Sequence, residues 1–229
     1  MKIAVIGGTG RAGSRIVEEL SRRRHELTVV VRHPEKMPSR AGVTAVQGDV
    51  FDAEGLAKLL AGHEVAVSAV HFTASDPARL IAAVKRARIG RYVVVGGAGS
   101  LEVAPGVTLV STPEFPAAYK AEAEKGGVFL DLLRRESDLN WTFLSPSALF
   151  VEGERTGKFR LGGDQLLTDA AGKSWISFED YAVALADEIE RPAHARQRFT
   201  GRILSLCNGF RADRKASVRE PVPASDDIV

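Results

Sequence analysis

The chain has very little cysteine, no long apolar run and almost no excess of charge of one sign. Its 229 residues include one cysteine, Cys207, so a disulfide within the chain and a metal site built from cysteines are both excluded. We expect Cys207 to be a packed thiol rather than a nucleophile. Redox chemistry, if the protein performs any, is therefore expected to come from a cofactor.

The other absences exclude further classes of protein. No apolar run approaches the roughly 20 residues that a membrane span needs, and the start of the chain lacks the longer apolar stretch of a signal peptide. Lys and Arg number 31 against 29 Asp and Glu, and no dense basic run suggests nucleic acid as a partner. Five scattered histidines show no metal-ligand spacing. We therefore expect a cytoplasmic protein without a metal, membrane or nucleic-acid partner.

Short runs rich in β-branched residues alternate with segments of helical apolar spacing. The runs predict six strands, at residues 3–6, 27–31, 43–47, 65–70, 91–95 and 141–144. The segments between them predict helices at 11–23, 54–61, 77–88 and 117–136. Because strands that alternate with helices form right-handed βαβ units, the pattern predicts a parallel sheet covered on both faces. The predicted fold class is α/β, with a doubly wound sheet of the Rossmann type.

The last third of the chain is less regular. A helix is predicted at 178–191, opened by Ser177, whereas the glycine-rich and charged residues 153–172 suit an irregular region beside a substrate cleft. We expect one domain over residues 1–200, with a small substrate-side lobe at about 146–200. Residues 201–229 lose periodicity and end in a polar, proline-containing stretch, which predicts a poorly ordered tail.

A glycine-rich turn, Gly7-Gly8-Thr9-Gly10-Arg11-Ala12-Gly13, follows the first predicted strand and opens the first helix. Gly7 permits a sharp turn, Gly10 lets the backbone approach a pyrophosphate, and Gly13 lets helix and strand pack closely. The N-terminus of the helix then offers free N–H groups to the phosphates. This arrangement predicts a dinucleotide-binding site.

The second and third strands indicate which dinucleotide binds. Sites that prefer NAD usually carry an acidic residue after the second strand, whereas Arg32 stands there and could bind a 2′-phosphate, unless it is a solvated surface arginine. Asp49 follows the third strand and could accept from the adenine amino group, or cap the next helix, a role that Asp52 fills better. NADP(H) is therefore favoured over NAD(H).

With these residues in place, the chain resembles the atypical short-chain dehydrogenases/reductases, NAD(P)H-binding proteins related to NmrA-like redox sensors and to biliverdin/flavin reductases. The matching stretches are residues 3–13, 31–36, 48–50, 141–146 and 176–182, so the resemblance covers about the first 200 positions. It implies the fold and the cofactor but not the substrate. The residues predicted to bind the cofactor are Gly7, Thr9, Gly10, Arg11, Ala12, Gly13, Arg32, Asp49, Val50, Ala69, Gly96 and Ser145.

The catalytic acid is harder to identify. Ordinary members of the wider superfamily use a tyrosine four residues before a lysine, and none of the three tyrosines here has that partner. Tyr119 and Lys120 lie near the expected nicotinamide end, but one helical step separates them by about 100°, so at most one should face the cofactor. His71 and Ser100 follow predicted strands and are either proton or hydrogen-bond donors or ordinary loop residues.

Two functions fit these observations. The first is an NADPH-dependent reductase that transfers hydride to a small flavin, quinone or carbonyl acceptor. Its acceptor pocket would be built from Phe72, Phe115, Leu149 and Phe150, which could equally be core residues. The second is a non-catalytic NADP(H) sensor that acts through a protein partner, and the missing tyrosine–lysine pair motivates it. The sequence identifies neither the acceptor nor the oligomeric state.

Overall fold

A computed structural model describes residues 1–191 and the backbone of a strand at Ile203–Cys207. The helices are α1 (Arg11–Arg22), α2 (Ala53–Leu60), α3 (Pro77–Arg86), α4 (Ala117–Arg134) and α5 (Phe178–Glu190). The strands are β1 (Lys2–Ile6), β2 (Glu26–Val31), β3 (Val43–Gln47), β4 (Val65–Ser68), β5 (Arg91–Val95), β6 (Glu102–Ala104), β7 (Val107–Thr108), β8 (Trp141–Ser145), β9 (Leu149–Val151), β10 (Arg160–Gly162), β11 (Trp175–Ser177) and β12 (Ile203–Cys207).

The main sheet has the strand order β10-β12-β8-β5-β4-β1-β2-β3. All neighbouring strands are parallel except β10 and β12, which pair antiparallel. Because β1 lies between β2 and β4, the strand order reverses there. In open α/β sheets ligands bind at such a reversal, in the crevice beyond the carboxyl ends of the strands. The predicted α/β fold of the Rossmann type is confirmed.

The core has two layers because the sheet is covered on both faces. Side chains that alternate along each strand point to opposite faces, so Val94 packs towards α2, α3 and α4, and Val93 packs towards α1 and α5. In β1 both faces are covered, and the four side chains of Ile3, Ala4, Val5 and Ile6 are fully buried. This explains why the strand reads as a continuous apolar run.

The predicted elements agree closely with those observed. All six predicted strands are present, although β4 ends at Ser68 and β8 extends to Ser145. The five helices begin and end within two residues of their predicted limits, and the hydroxyl of Ser177 caps α5 by accepting from the amide of Asp180 at 3.0 Å. The expectation that residues 153–172 are irregular is wrong in one part, because β10 lies within them and pairs with β12.

Among the described residues, four further short strands that the sequence did not indicate form two small sheets apart from the main sheet. Strands β9 and β11 pair in parallel, and β6 and β7 form a hairpin. Glu102 of β6 links the hairpin to the later segment, because its amide donates to Asp164 and its carbonyl accepts from Leu166, both at 2.8 Å. The hairpin after β5 is therefore attached to part of the region, 146–200, in which we expected a lobe.

The position at which the domain ends, predicted to be residue 200, stays a prediction. Strand β12 belongs to the main sheet and lies beyond position 200, where we expected the domain to end. The other residues of the predicted tail, and residues 192–202, lie outside the described part of the chain. Within residues 1–191, no helix is both long enough and apolar enough to cross a membrane.

Candidate functional site

The loops after β1, β4, β5 and β8 meet at the crevice beside β1. The loop after β1 is shaped by glycine. Gly7 has a φ of +86°, a backbone conformation that favours glycine, and a Cβ there would lie 2.7 Å from the carbonyl oxygen of Ala69 in the loop after β4. A Cβ at Gly13 would overlap the carbonyl oxygen of Gly7. Turn and helix can therefore approach each other only with glycine at these positions.

Two other glycines of the loop differ in their surroundings. A Cβ at Gly10 would lie 3.7 Å from its nearest neighbour, the Gly7 carbonyl oxygen, so the space beside it is open. Gly8 was not singled out from the sequence, yet a Cβ there would overlap the side chain of Val29 in β2. Gly8 thus keeps the loop close to the sheet, while Gly10 leaves room at the crevice.

The N-terminus of α1 is open to an anion. Gly10 caps the helix without a side-chain hydrogen bond, and the first turn contains no acidic residue. Thr9 and Arg11 are exposed, Ala12 is half-buried, and the guanidinium of Arg11 has no ion-pair partner among residues 1–191. Uncapped N–H groups, the helix dipole and a free cation together attract negative charge. The turn at residues 7–13, the glycine cradle, therefore fits the pyrophosphate of a dinucleotide.

The end of β2 carries an unpaired cation. Arg32 is exposed, and its guanidinium makes no ion pair within the described part of the chain, although its carbonyl accepts from the side-chain amide of Gln47 at 3.4 Å. Glu35, in the turn that follows, lies 3.2 Å from the Nδ1 of His33. The guanidinium is therefore available to a ligand.

The end of β3 has two aspartates with different partners. Asp52 caps α2 by accepting from the amide of Gly55 at 3.0 Å, as predicted. Asp49 accepts from the amide of Phe51 at 2.9 Å and is exposed, so its carboxylate retains acceptor capacity. Val50 between them is half-buried against the core. The predicted adenine contact of Asp49 stays a prediction.

The loop after β4 is held by a residue that the sequence analysis missed. Glu122 of α4 accepts from the amide of Phe72 at 2.7 Å, and from the amide and hydroxyl of Thr73 at 2.8 and 2.7 Å. Its Oε1 also lies 3.3 Å from the Nδ1 of His71. No short-range signal marks Glu122, because about 50 positions separate it from its partners.

The pKa values of this pair shift in opposite directions. The hydrogen bond to Glu122 raises the pKa of His71, and it outweighs burial and the charge of Arg11, which act to lower that pKa. Burial acts to raise the pKa of Glu122, but the hydrogen bonds from His71, Thr73 and Phe72 lower it to about 2. The arrangement therefore favours the charged forms of both groups.

The loop after β5 and the end of β8 each place a serine inside the protein. Gly99 precedes Ser100 in a short 3₁₀ turn that packs against α4, since a Cβ at Gly99 would lie 2.7 Å from the Cβ of Ala123. The hydroxyls of Ser100 and Ser145 are buried and have no hydrogen-bond partner within the described residues. A buried hydroxyl without a partner is costly, so both are candidates to bind a ligand.

The carbonyl of Leu144 fixes the strand end beside Ser145. It accepts from the amide of Gly96 at 2.8 Å and from the hydroxyl of Tyr181 at 2.6 Å. A Cβ at Gly96 would also overlap the ring of Phe143. Gly96 thus allows β5 and β8 to approach each other at the crevice. Burial raises the pKa of Tyr181 well above its ordinary value, so this tyrosine is a structural donor.

Tyr119 and Lys120 lie in the first turn of α4, and both are exposed. Within the described part of the chain, neither side chain makes a hydrogen bond or an ion pair. Residues three apart share a helix face, so Tyr119 lies on the same side as Glu122, which contacts the loop after β4. Lys120 is turned about 100° away from Tyr119. Tyr119 is therefore the better placed of the two to face the crevice.

Of the four residues suggested for an acceptor pocket, Phe72 is a core residue and Phe150 is a half-buried residue that packs against the core. The ring of Phe72 is buried and stacks on Phe143 with a centroid separation of 6.0 Å. The ring of Phe150 lies 4.4 Å from that of Phe178, measured between centroids. By contrast, Phe115 is half-buried and Leu149 is 58% exposed. Of the four, Phe115 and Leu149 remain candidates to contact an acceptor.

Comparison with known proteins agrees with this geometry. A family described as NAD(P)H-binding matches residues 7–192. The uncharacterized protein YwnB of Bacillus subtilis is 39% identical over 208 residues, which span 87% of this chain and 97% of YwnB. A crystal structure from Bacteroides thetaiotaomicron, titled a proposed epimerase, has a TM-score of 0.86 at 34% identity and covers 93% of this chain and 99% of its own.

A second solved structure carries a more specific title. It comes from Streptococcus pneumoniae and is titled a proposed NADH-flavin reductase. It has a TM-score of 0.77 at 35% identity, with 91% of this chain and 99% of its own covered. The family match spans every loop of the crevice, from the glycine turn to the end of α5. This chain is a member of the NAD(P)H-binding family of Rossmann-type proteins.

Proposed function

We propose that the protein is an NADPH-dependent oxidoreductase that transfers hydride to a small flavin, quinone or carbonyl acceptor. The observation that carries the proposal is the glycine cradle between β1 and α1, which leaves the helix N-terminus open at the crevice beside Ala69. The bound nicotinamide would supply the hydride. The reductase title of one relative supports an acceptor of the flavin class.

The free guanidinium of Arg32 supports NADPH rather than NADH. It lies at the end of β2, where the adenine ribose of a bound dinucleotide is expected, and no carboxylate of the described residues neutralises it. A guanidinium binds a 2′-phosphate through paired hydrogen bonds, whereas a carboxylate there would repel it. Asp49 and Val50 would border the adenine, and Gly96 and Ser145 the nicotinamide end.

The first experiment measures NADPH oxidation against flavins, quinones and small carbonyl compounds, with a parallel calorimetric titration of NADPH. Turnover with any acceptor establishes the reductase and ranks its substrates. Tight NADPH binding without turnover on any acceptor would contradict the proposal and favour the sensor. Absence of nucleotide binding would contradict both.

The cofactor preference is tested by Arg32→Asp. We expect NADPH affinity to fall by at least tenfold and NADH affinity to change less than threefold, because only NADPH carries the phosphate that the guanidinium would bind, and a charge-assisted bond of this kind contributes about 1.5–3 kcal/mol. Arg40→Asp is the matched control, since this exposed residue precedes β3 at the opposite end of the sheet. Equal losses for both nucleotides would contradict the assignment.

A further inference from the structure

Glu122 and His71 form a unit at the crevice that no residue pattern indicated. The two carboxylate oxygens of Glu122 accept from three donors of Phe72 and Thr73, so the loop after β4 is fixed to α4. The same carboxylate lies 3.3 Å from the Nδ1 of His71. This contact orients the imidazole and leaves Nε2 without a partner among the described residues.

The imidazole is accessible and faces charges of both signs. The side chain of His71 is 52% exposed, whereas that of Glu122 is 30% exposed. Two charged groups act on His71: Glu122 from α4, and Arg11 from the N-terminus of α1. Arg11 stands at the start of α1 beside the glycine cradle, so the imidazole lies within electrostatic reach of the place where the dinucleotide is expected.

We infer that His71 donates the proton that completes reduction of the acceptor, and that Glu122 is its positioning residue. The inference rests on the proposed function and deepens it. The reduced nicotinamide, when bound, would supply the hydride by breaking its own C–H bond and becoming oxidised. The acceptor would gain that hydride at a carbon or a quinone oxygen, and the electron pair of its C=O bond would be left on an oxyanion. The Nε2–H bond of the imidazolium breaks, its proton moves to that oxyanion, and neutral His71 is reprotonated from solvent.

This assignment favours carbonyl compounds and quinones as acceptors. Reduction of a carbonyl compound or a quinone creates an oxyanion that must be protonated, whereas a reduced flavin can leave as its anion. A donor held at the crevice is therefore useful for carbonyl compounds and quinones. It also accounts for the missing tyrosine–lysine pair, because the imidazolium would take the role of the tyrosine. The raised pKa of His71 supports the assignment, since it increases the protonated fraction near neutral pH.

The pairing is tested without turnover by an NMR titration of the histidine ring signals in the full chain. His71→Gln assigns the signal by removing it. We expect His71 to titrate above the reference of about 6.5, and its pKa to fall in Glu122→Gln because the carboxylate charge is lost. Thr73→Val is the control that removes one bond to Glu122 but not the contact with His71. An unchanged pKa in Glu122→Gln would overturn the pairing.

The donor role is tested by kinetics on the best carbonyl or quinone acceptor. We expect His71→Gln to lower kcat at least a hundredfold, with little change in the NADPH KM and with loss of the basic limb of the kcat–pH profile. Glu122→Gln should shift that limb to lower pH. An unchanged kcat, or a loss confined to NADPH affinity, would overturn the donor role. No turnover by the unmodified protein on any acceptor would instead overturn the proposed function, whatever the titration shows.

Discussion

The glycines of the glycine cradle serve two different purposes. A Cβ at Gly13 would overlap the Gly7 carbonyl, whereas a Cβ at Gly10 would make only ordinary contacts. Gly13 is therefore required for the fold of the loop. Gly10 is required only if a ligand occupies the open space beside it, which makes it a more direct probe of cofactor binding.

We expect Gly10→Ala to leave the melting temperature within about 1 °C, because nothing in the protein obstructs the methyl group. NADPH and NADH affinities should both fall at least tenfold, and Gly10→Val should abolish both. Gly13→Ala should instead destabilise the fold by about 1–3 kcal/mol, since the backbone of the turn must shift. Thermal unfolding and calorimetric titration of both variants check this. Unchanged nucleotide affinity in Gly10→Ala would contradict the placement of the pyrophosphate.

The contacts of Glu122 could not be predicted from residue patterns in the sequence. Its partners lie about 50 positions earlier in the chain, and in the sequence it resembles any other glutamate of an amphipathic helix. His71 and Ser100 could be nominated because each follows a strand whose carboxyl end must lie at the crevice. Their surroundings could not be predicted, since they depend on how α4 packs against the sheet.

At the scale of elements, α4 packs closely against the ring of Phe72 because Gly126, one of two adjacent glycines, has no side chain. A Cβ at Gly126 would lie 2.8 Å from the ring of Phe72, whose position is fixed by Phe143 and Phe129. Gly127 has no atom within 4 Å of its would-be Cβ. The approach of α4 to the loop after β4, and hence the contact between Glu122 and His71, depends on Gly126.

The two positions should respond to alanine in opposite directions. Gly127→Ala should stabilise the protein by about 0.5–1 kcal/mol, because alanine favours the helix and has room. Gly126→Ala should destabilise it by about 1–3 kcal/mol, because Phe72 cannot move without disturbing its aromatic neighbours. Urea unfolding of both variants measures the difference. Stabilisation by Gly126→Ala would contradict the close packing of α4.

At the scale of the whole molecule, residues 152–157 connect the region that follows β9 to α1 and α5. Arg155 donates to both carboxylate oxygens of Glu19 in α1, at 2.7 and 2.8 Å. Asp180 of α5 accepts from the amides of Thr156 and Gly157, each at 2.7 Å. The segment therefore fixes the region after β9 to α1, the helix that follows the glycine cradle.

The contact between Arg155 and Glu19 should make stability depend on pH. The hydrogen bond from Arg155 lowers the pKa of Glu19 to about 2 from its ordinary value of 4.5, against the effect of burial and together with Arg23. A lowered carboxyl pKa stabilises the fold above the unfolded value of about 4.5, and this contribution is lost as the pH falls towards 2.

We expect Arg155→Met to reduce the free energy of unfolding by about 1–2 kcal/mol at pH 7, a modest value because Arg155 is partly exposed and Arg23 still pairs with Glu19. The difference from the unmodified protein should shrink below about pH 4. Urea unfolding at pH 7 and pH 3 checks this, with Lys158→Met as the control for loss of a nearby exposed cation. A difference that is independent of pH would contradict the role of Glu19.

The sequence by itself determined the α/β fold, the glycine loop and the cation after β2, because each depends on periodicity or on residues adjacent along the chain. Tertiary structure alone decided that Phe72 is buried in the core, that Phe150 packs against the core, and that the hairpin after β5 bonds to the segment after β10. It also decided that Glu122 holds the loop of His71. These features depend on contacts between distant segments, whose distances and burial are fixed only when the helices pack on the sheet.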